Sequence, residues 1–245
     1  MHTNNSWRDP LLIIIVIASI IGFFFIKPIP QDLTYHNFVD TRNILGIANC
    51  FNVISNLPFL FVGIAGQRYV LTHWHGRASW SWLVLFLSVL LVAAGSSYYH
   101  LNPSNETLTW DRLPMAIGFM ALLAIVLADY VTPKFEKWLF VPLCLLGIFS
   151  VLYWHMNDDL RIYAWVQFFS LALLIIVISI YKPSSMQTKY LIFAIVFYVF
   201  SKITEYFDVT VFNLTLEMIS GHSIKHLLAA ISTVFFYLIL KHPKT

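Results

Sequence analysis

The sequence predicts an all-α fold, a polytopic bundle of transmembrane helices. Three observations carry this expectation. Hydrophobic residues make up 59% of the 245-residue chain and charged residues only 11%, against roughly 45–50% and 25% in soluble domains. The apolar residues fall into runs near the length a bilayer demands, about 20 residues for a helix. Those runs do not alternate with polar residues, which argues against membrane strands. The composition excludes a cytosolic enzyme, a secreted disulfide scaffold and a disordered regulator. Two cysteines, Cys50 and Cys144, make neither a disulfide framework nor a zinc ribbon. The formal charge of +3 is spread over many loops, so no nucleic-acid partner is expected.

Eight runs qualify as spans. Leu11–Ile26 is short, Ile-rich and preceded by Arg8. It has features of a signal peptide, but no small-x-small cleavage site follows it. The segment after it, Phe23–Pro30, is bulky and punctuated by proline, so an uncleaved first helix is expected. Phe51–Leu71 and Trp80–Tyr99 follow, with Trp80 and Trp82 reading as an interface belt. Leu113–Val131 opens on Trp110-Asp111-Arg112-Leu113-Pro114; proline is tolerated in a first turn, and Asp111 would cap it. Trp138–Trp154, with tryptophans at both ends reading as interface belts, and Ile162–Tyr181 are next. Tyr190–Phe207 carries Lys202 and Glu205, spaced to pair with each other and so reduce the cost of burying both. His222–Leu240 is the last span.

Alternating loops place nine basic residues on the side of the termini: Arg8, Arg68, Arg77, Lys134, Lys137, Lys182, Lys189, Lys241 and Lys244. The other side has four, Lys27, Arg42, Arg112 and Arg161. Positive charge marks the cytoplasmic side, so both termini are expected inside. Acids concentrate outside, at Asp32, Asp40, Glu106, Asp111, Asp158, Asp159 and Glu217.

Ionisable groups inside spans are functional candidates by default. His222 and His226 are four apart and share one helix face, a spacing that can chelate one metal ion but also suits a helix end. His100 ends the third span at the same expected depth. Three imidazoles leave a fourth position open, as catalytic rather than structural zinc sites do. Ser96 lies one turn deeper than His100 on the same face, where it would reach toward the metal or simply pack against a neighbouring helix. Asp111 lies on the same side and could exchange a proton with bound water. His73 and His75 fall on the opposite side and read as solvated; Lys225 reads as snorkelling to the interface.

Ser96-x-x-x-His100, then Asp111, then His222-x-x-x-His226 resembles the alkaline ceramidases, members of a superfamily of seven-helix membrane hydrolases that includes adiponectin-receptor-like and GPI-remodelling proteins. The stretch from Asn52 to Asn56 resembles the family's Asn-x-x-Ser-Asn signature. The resemblance covers roughly residues 35–240 and implies a division into 1–34, an N-terminal transmembrane helix with its connector, and 35–245, a seven-helix ceramidase-like catalytic domain. It implies zinc on His100, His222 and His226, Asp111 as proton shuttle and Ser96 as oxyanion donor. The implied reaction is hydrolysis of the amide of a ceramide-like membrane lipid to a sphingoid base and a fatty acid. A family tyrosine that contacts the substrate amide would fall at Tyr153 or Tyr163.

One departure concerns calcium. Eukaryotic members carry an Asp-Trp-x-Glu-x-Asn run and a Glu before the signature; here the run reads from Tyr35 to Arg42 with Asp40 its only acid, and Asn49 stands in place of the Glu. A hard cation wants six to eight oxygens, several from carboxylates, so calcium is not expected. His36, Asp40 and Arg42 are then left for a polar plug, a headgroup contact or a plain interfacial loop.

The expected setting is an integral membrane, with the lipid bilayer and a lipid substrate as partners and no obligate protein partner. Compact loops favour a bacterial inner membrane, or the ER or Golgi in a eukaryote, with the histidines facing the periplasm or lumen. Two other functions fit the same residues: an ester lipase acting on phospholipid or GPI-type lipids, and a lipid-sensing receptor whose metal is structural.

Overall fold

The computed structural model describes residues 7–73, 78–181 and 186–242. His75, Arg77, Lys182 and Lys244 of the charge pattern lie outside the described residues. The described residues are helical with no strand, as the sequence predicts; their one β-bridge, Ile44 with Ile47, is isolated.

The helices are α1 (Arg8–Phe23), α2 (Cys50–Ile54), α3 (Leu57–Thr72), α4 (Ala78–Leu101), α5 (Asn105–Tyr130), α6 (Lys134–Asn157), α7 (Arg161–Ala164), α8 (Ser170–Tyr181), α9 (Met186–Tyr206), α10 (Asp208–Leu214) and α11 (Gly221–Lys241). Among the described residues six spans are long and apolar enough to cross a membrane: α2 with α3, α4, α5, α6, α7 to α8 through a π-helical turn, and α11. A seventh, α9 with α10, is bent by 83°. The remaining expected span is α1, whose 16 residues cover about 24 Å at 1.5 Å per residue. Large apolar side chains such as Ile14, Phe61, Trp138 and Phe200 stand exposed on the outside, as a lipid solvent allows.

Helix α5 is the centre of the bundle. In its most apolar stretch 67% of residues are buried, against 22–39% in the other five unbent spans. It packs between α4 and α6 and also touches α8; α11 packs on α9 and α3. The core gathers around Phe86, Met120, Val151, Trp154 and Leu174.

Helix α5 begins eight residues before the expected Leu113. Ser104 and Thr107 form a reciprocal capping box, the Ser104 hydroxyl accepting from the Thr107 backbone and Thr107 Oγ1 from the Ser104 backbone. Asp111 is therefore two turns inside the helix rather than its cap, and Pro114 is an interior proline.

Helix α1 is fastened to the rest by polar contacts. Trp165 Nε1 donates to Ser19 Oγ at 3.3 Å, and the Tyr181 hydroxyl donates to Asp9. The chain after α1 is stitched to the α6–α7 turn: Gln31 N donates to Asp158 and Ile29 N to Asp159. Asp159 also holds Arg161 at 2.7 Å, and Arg161 donates to the Ile26 carbonyl.

Candidate metal centre

The last turn of α4 and the first turns of α11 bring three histidines together. His100, His222 and His226 are all buried. His100 Nε2 stands 3.3 Å from His226 Nε2 and 3.3 Å from His222 Nε2. One ring nitrogen from each falls within 4.8 Å of the other two.

Local sequence explains why α11 starts here. Ser220 caps it, its hydroxyl accepting from Ser223 N at 3.0 Å. Asp208, just past the bend after α9, accepts from His222 N at 2.7 Å. Gly221 lets the segments close in: a Cβ there would lie 2.2 Å from the Thr204 carbonyl oxygen. The bend between α9 and α10 thus holds the first turn of α11 against the site.

The Asn-x-x-Ser-Asn signature lies behind the histidines. The Ser55 hydroxyl is 2.8 Å from His226 Nδ1. The Asn52 carboxamide oxygen accepts from Ser223 Oγ at 2.8 Å and Ser220 Oγ at 3.3 Å. Asn49 Nδ2 donates to the His100 carbonyl at 2.8 Å. Sequence reasoning assigned Ser55 and Asn49 no place at the histidines; the signature itself was the available signal.

The segment before α2 packs over the site. Phe38 sits 4.7 Å from His100 and 4.9 Å from His222, ring centre to ring centre. His36 bridges the Tyr99 hydroxyl at 2.9 Å and the Asn105 side chain at 3.0 Å. Asp40 is held by Arg42 at 2.6 Å, and Arg42 reaches on to the Met218 carbonyl. Arg42 keeps its proton more firmly than an ordinary guanidinium because it donates to Asp40. His36, Asp40 and Arg42 thus all have protein partners, and Arg42 stays partly exposed.

A cavity of about 320 Å³ opens beside His226, within the range of small-molecule sites. Ser96, Asp111, Tyr163 and His226 line it. Ser96 and Asp111 are both buried, and the hydroxyl lies beside the carboxylate. Tyr153 packs against Phe149 instead and is not part of the wall. Lys202 and Glu205 pair at 2.7 Å, as their spacing suggested. Lys225 does not snorkel outward: its ammonium donates to Glu205 at 2.9 Å and lies 2.9 Å from His222 Nε2. The Glu205 carboxylate, on the neighbouring helix, supplies its partner.

The donor set fits a transition metal. Tetrahedral zinc with nitrogen ligands at 2.0–2.1 Å keeps those ligands about 3.3–3.4 Å apart, which matches the two Nε2 separations of 3.3 Å. Imidazole donors without carboxylates suit zinc, copper, iron or nickel rather than calcium or magnesium.

Fold and site together define a class: an all-α membrane bundle with a buried three-histidine cluster beside a cavity. A protein-family model described as Ceramidase matches residues 36–244. The chain belongs to that family, whose name implies a hydrolase acting on ceramide. No curated protein and no solved structure matches the chain.

Proposed function

We propose that the protein is an intramembrane zinc-dependent amidase that cleaves ceramide-like lipids to a sphingoid base and a fatty acid. The observation that carries this is the meeting of His100, His222 and His226 at the end of a cavity lined by Asp111 and Ser96. Zinc on the three histidines would supply a Lewis acid and a water acidic enough to ionise near neutral pH. Asp111, buried in the wall, accepts the proton of the attacking water and returns it to the leaving nitrogen, which an amide needs before it can depart. The Ser96 hydroxyl donates to the amide oxygen as charge develops on it, a stabilisation worth about 3–4 kcal/mol when preorganised. Tyr163 stands on the same wall and contacts the amide region. Apolar residues such as Phe119, Leu174 and Phe236 take the chains.

Residues 35–245 form the catalytic unit in this proposal, with 1–34 an addition to it. Both termini lie on the cytoplasmic side and the histidines face the opposite compartment, from the asymmetry of basic residues.

The test is metal content and turnover of the purified chain. About one zinc per chain, and ceramide hydrolysis lost in His222→Ala, is the expected result. Absence of zinc from the wild type overturns the metal assignment. Zinc with hydrolysis of phospholipid esters but no ceramide overturns the amidase assignment.

A further inference from the structure

The cavity wall carries three fixed cations, Arg112, Lys202 and Lys225, and two acids, Asp111 and Glu205. Glu205 serves both lysines, one on each oxygen. Among the described residues Arg112 forms no ion pair with a carboxylate. Its guanidinium instead lies over the rings of Trp154 at 4.2 Å and Tyr163 at 4.9 Å, with Tyr35 at 5.7 Å.

The side chain is 93% buried, with 7% left exposed. Its Nη1 is enclosed and has no hydrogen-bond partner, and neither has the Nε1–H of Trp154, the ring beneath it. Aromatic faces attract a cation but do not use up its N–H groups. A buried guanidinium with idle donors is costly unless something completes it. The complement to a planar fork of donors is an oxyanion: carboxylate, phosphate or sulfonate. Tyr35, Arg112 and Tyr163 all line the cavity.

We propose that Arg112, held in the cage of Tyr35, Trp154 and Tyr163, forms an oxyanion subsite for an acidic group on the lipid in the cavity. This rests on the lipid-hydrolase proposal. Two sources share that chemistry: an acidic headgroup on the substrate, and the carboxylate of the released fatty acid. Arg112 directly follows Asp111 on α5, and both line the same cavity.

The test measures binding to the metal-loaded full-length chain in a neutral detergent. The probes are hexadecyl phosphate, standing for an acidic headgroup; palmitate, standing for the product; and hexadecanol, the neutral control. The wild type is expected to bind at least one anion about tenfold or more tighter than hexadecanol, the scale of a charge-assisted hydrogen bond. Arg112→Gln is expected to reduce that preference to about twofold. Arg112→Lys, which keeps the charge and loses the fork, is expected to fall between them, and it decides the matter if the glutamine variant does not fold. Loss of the phosphate preference assigns the subsite to a headgroup; loss of the palmitate preference assigns it to the product. An anion preference that survives both variants places the anion elsewhere and overturns the proposal, as does a wild type with no preference. None of the probes contains an amide. A chain that bound them through Arg112 yet hydrolysed no ceramide would therefore overturn the amidase assignment and leave the subsite standing.

Discussion

Gly95 of α4 lies directly against the Trp110 carbonyl of α5: a Cβ at position 95 would stand 2.1 Å from that oxygen. The carbonyl is free to be there because the residue four further on is Pro114, which has no N–H to offer it. Glycine and proline on facing helices thus set how closely α4 and α5 approach. The next residue on each chain is a cavity residue, Ser96 after Gly95 and Asp111 after Trp110. Gly95→Ala is expected to force the helices apart and cost about 1–3 kcal/mol, the usual penalty of overpacking. Thermal unfolding in detergent measures the stability loss. Hydrolysis should fall further than the unfolded fraction explains, because the Ser96–Asp111 spacing changes with it.

Ser55 holds His226 by its Nδ1 at 2.8 Å, which leaves Nε2 for the metal. Outer partners of this kind fix the tautomer and aim of a ligand, and removing one typically costs about 10–100-fold in metal affinity. Ser55→Ala should weaken metal binding by that factor while leaving the fold intact. Titration against a chelator of known affinity measures it; an unchanged affinity would show that the serine only packs.

The main lines of this arrangement are legible in the sequence, because the features that carry them are local. Apolar runs of membrane length mark the spans, and His100, Asp111, His222 and His226 stand out as ionisable residues that lipid should not accept. What escapes is set by pairs far apart in the chain. Lys225 reads as an interfacial lysine until Glu205, twenty residues earlier on another helix, is seen to face it. Ser55 and His226 are 171 residues apart. The start of α5 escapes for a different reason: residues 104–112 are mostly polar and resemble a loop, and only the capping box converts them to helix. Arg112 is merely one outer basic residue in sequence, because its meaning comes from the aromatic rings around it.

The Asp159 carboxylate ties the segment after α1 to the α6–α7 turn, accepting from Arg161 and from Ile29 N. The Arg161 side chain, donating to it, holds its pKa below the ordinary 3.8, with the backbone donors of Arg161 and Ile29 assisting. Depression of a folded-state carboxylate means its stabilisation is complete above the unfolded value of about 3.9. It is lost as pH falls through the lower folded value. Melting temperature in detergent should therefore hold level from neutral pH to about 4 as far as this group is concerned, then drop. Asp159→Asn should melt lower at neutral pH and show a shallower acid limb. Parallel acid limbs for the two proteins would assign the drop to other carboxylates.

Asp111 separates an enzyme from a receptor with a structural metal. It lines the cavity but is not one of the three clustered donors. Asp111→Asn keeps the size and hydrogen-bonding capacity of the side chain and removes its ability to take a proton. Metal content should stay at the wild-type level, because His100, His222 and His226 are untouched. Ceramide turnover should fall by about 10²–10⁴-fold, the usual contribution of a positioned general acid–base group. Zinc analysis and turnover measured on the same sample read both quantities. If turnover survives, the proton passes through another group and the role assigned to Asp111 falls. If metal and turnover are lost together, the aspartate supports the histidines rather than the reaction. Only the split, metal kept and turnover lost, fits a carboxylate whose task is to move a proton between water and the leaving nitrogen.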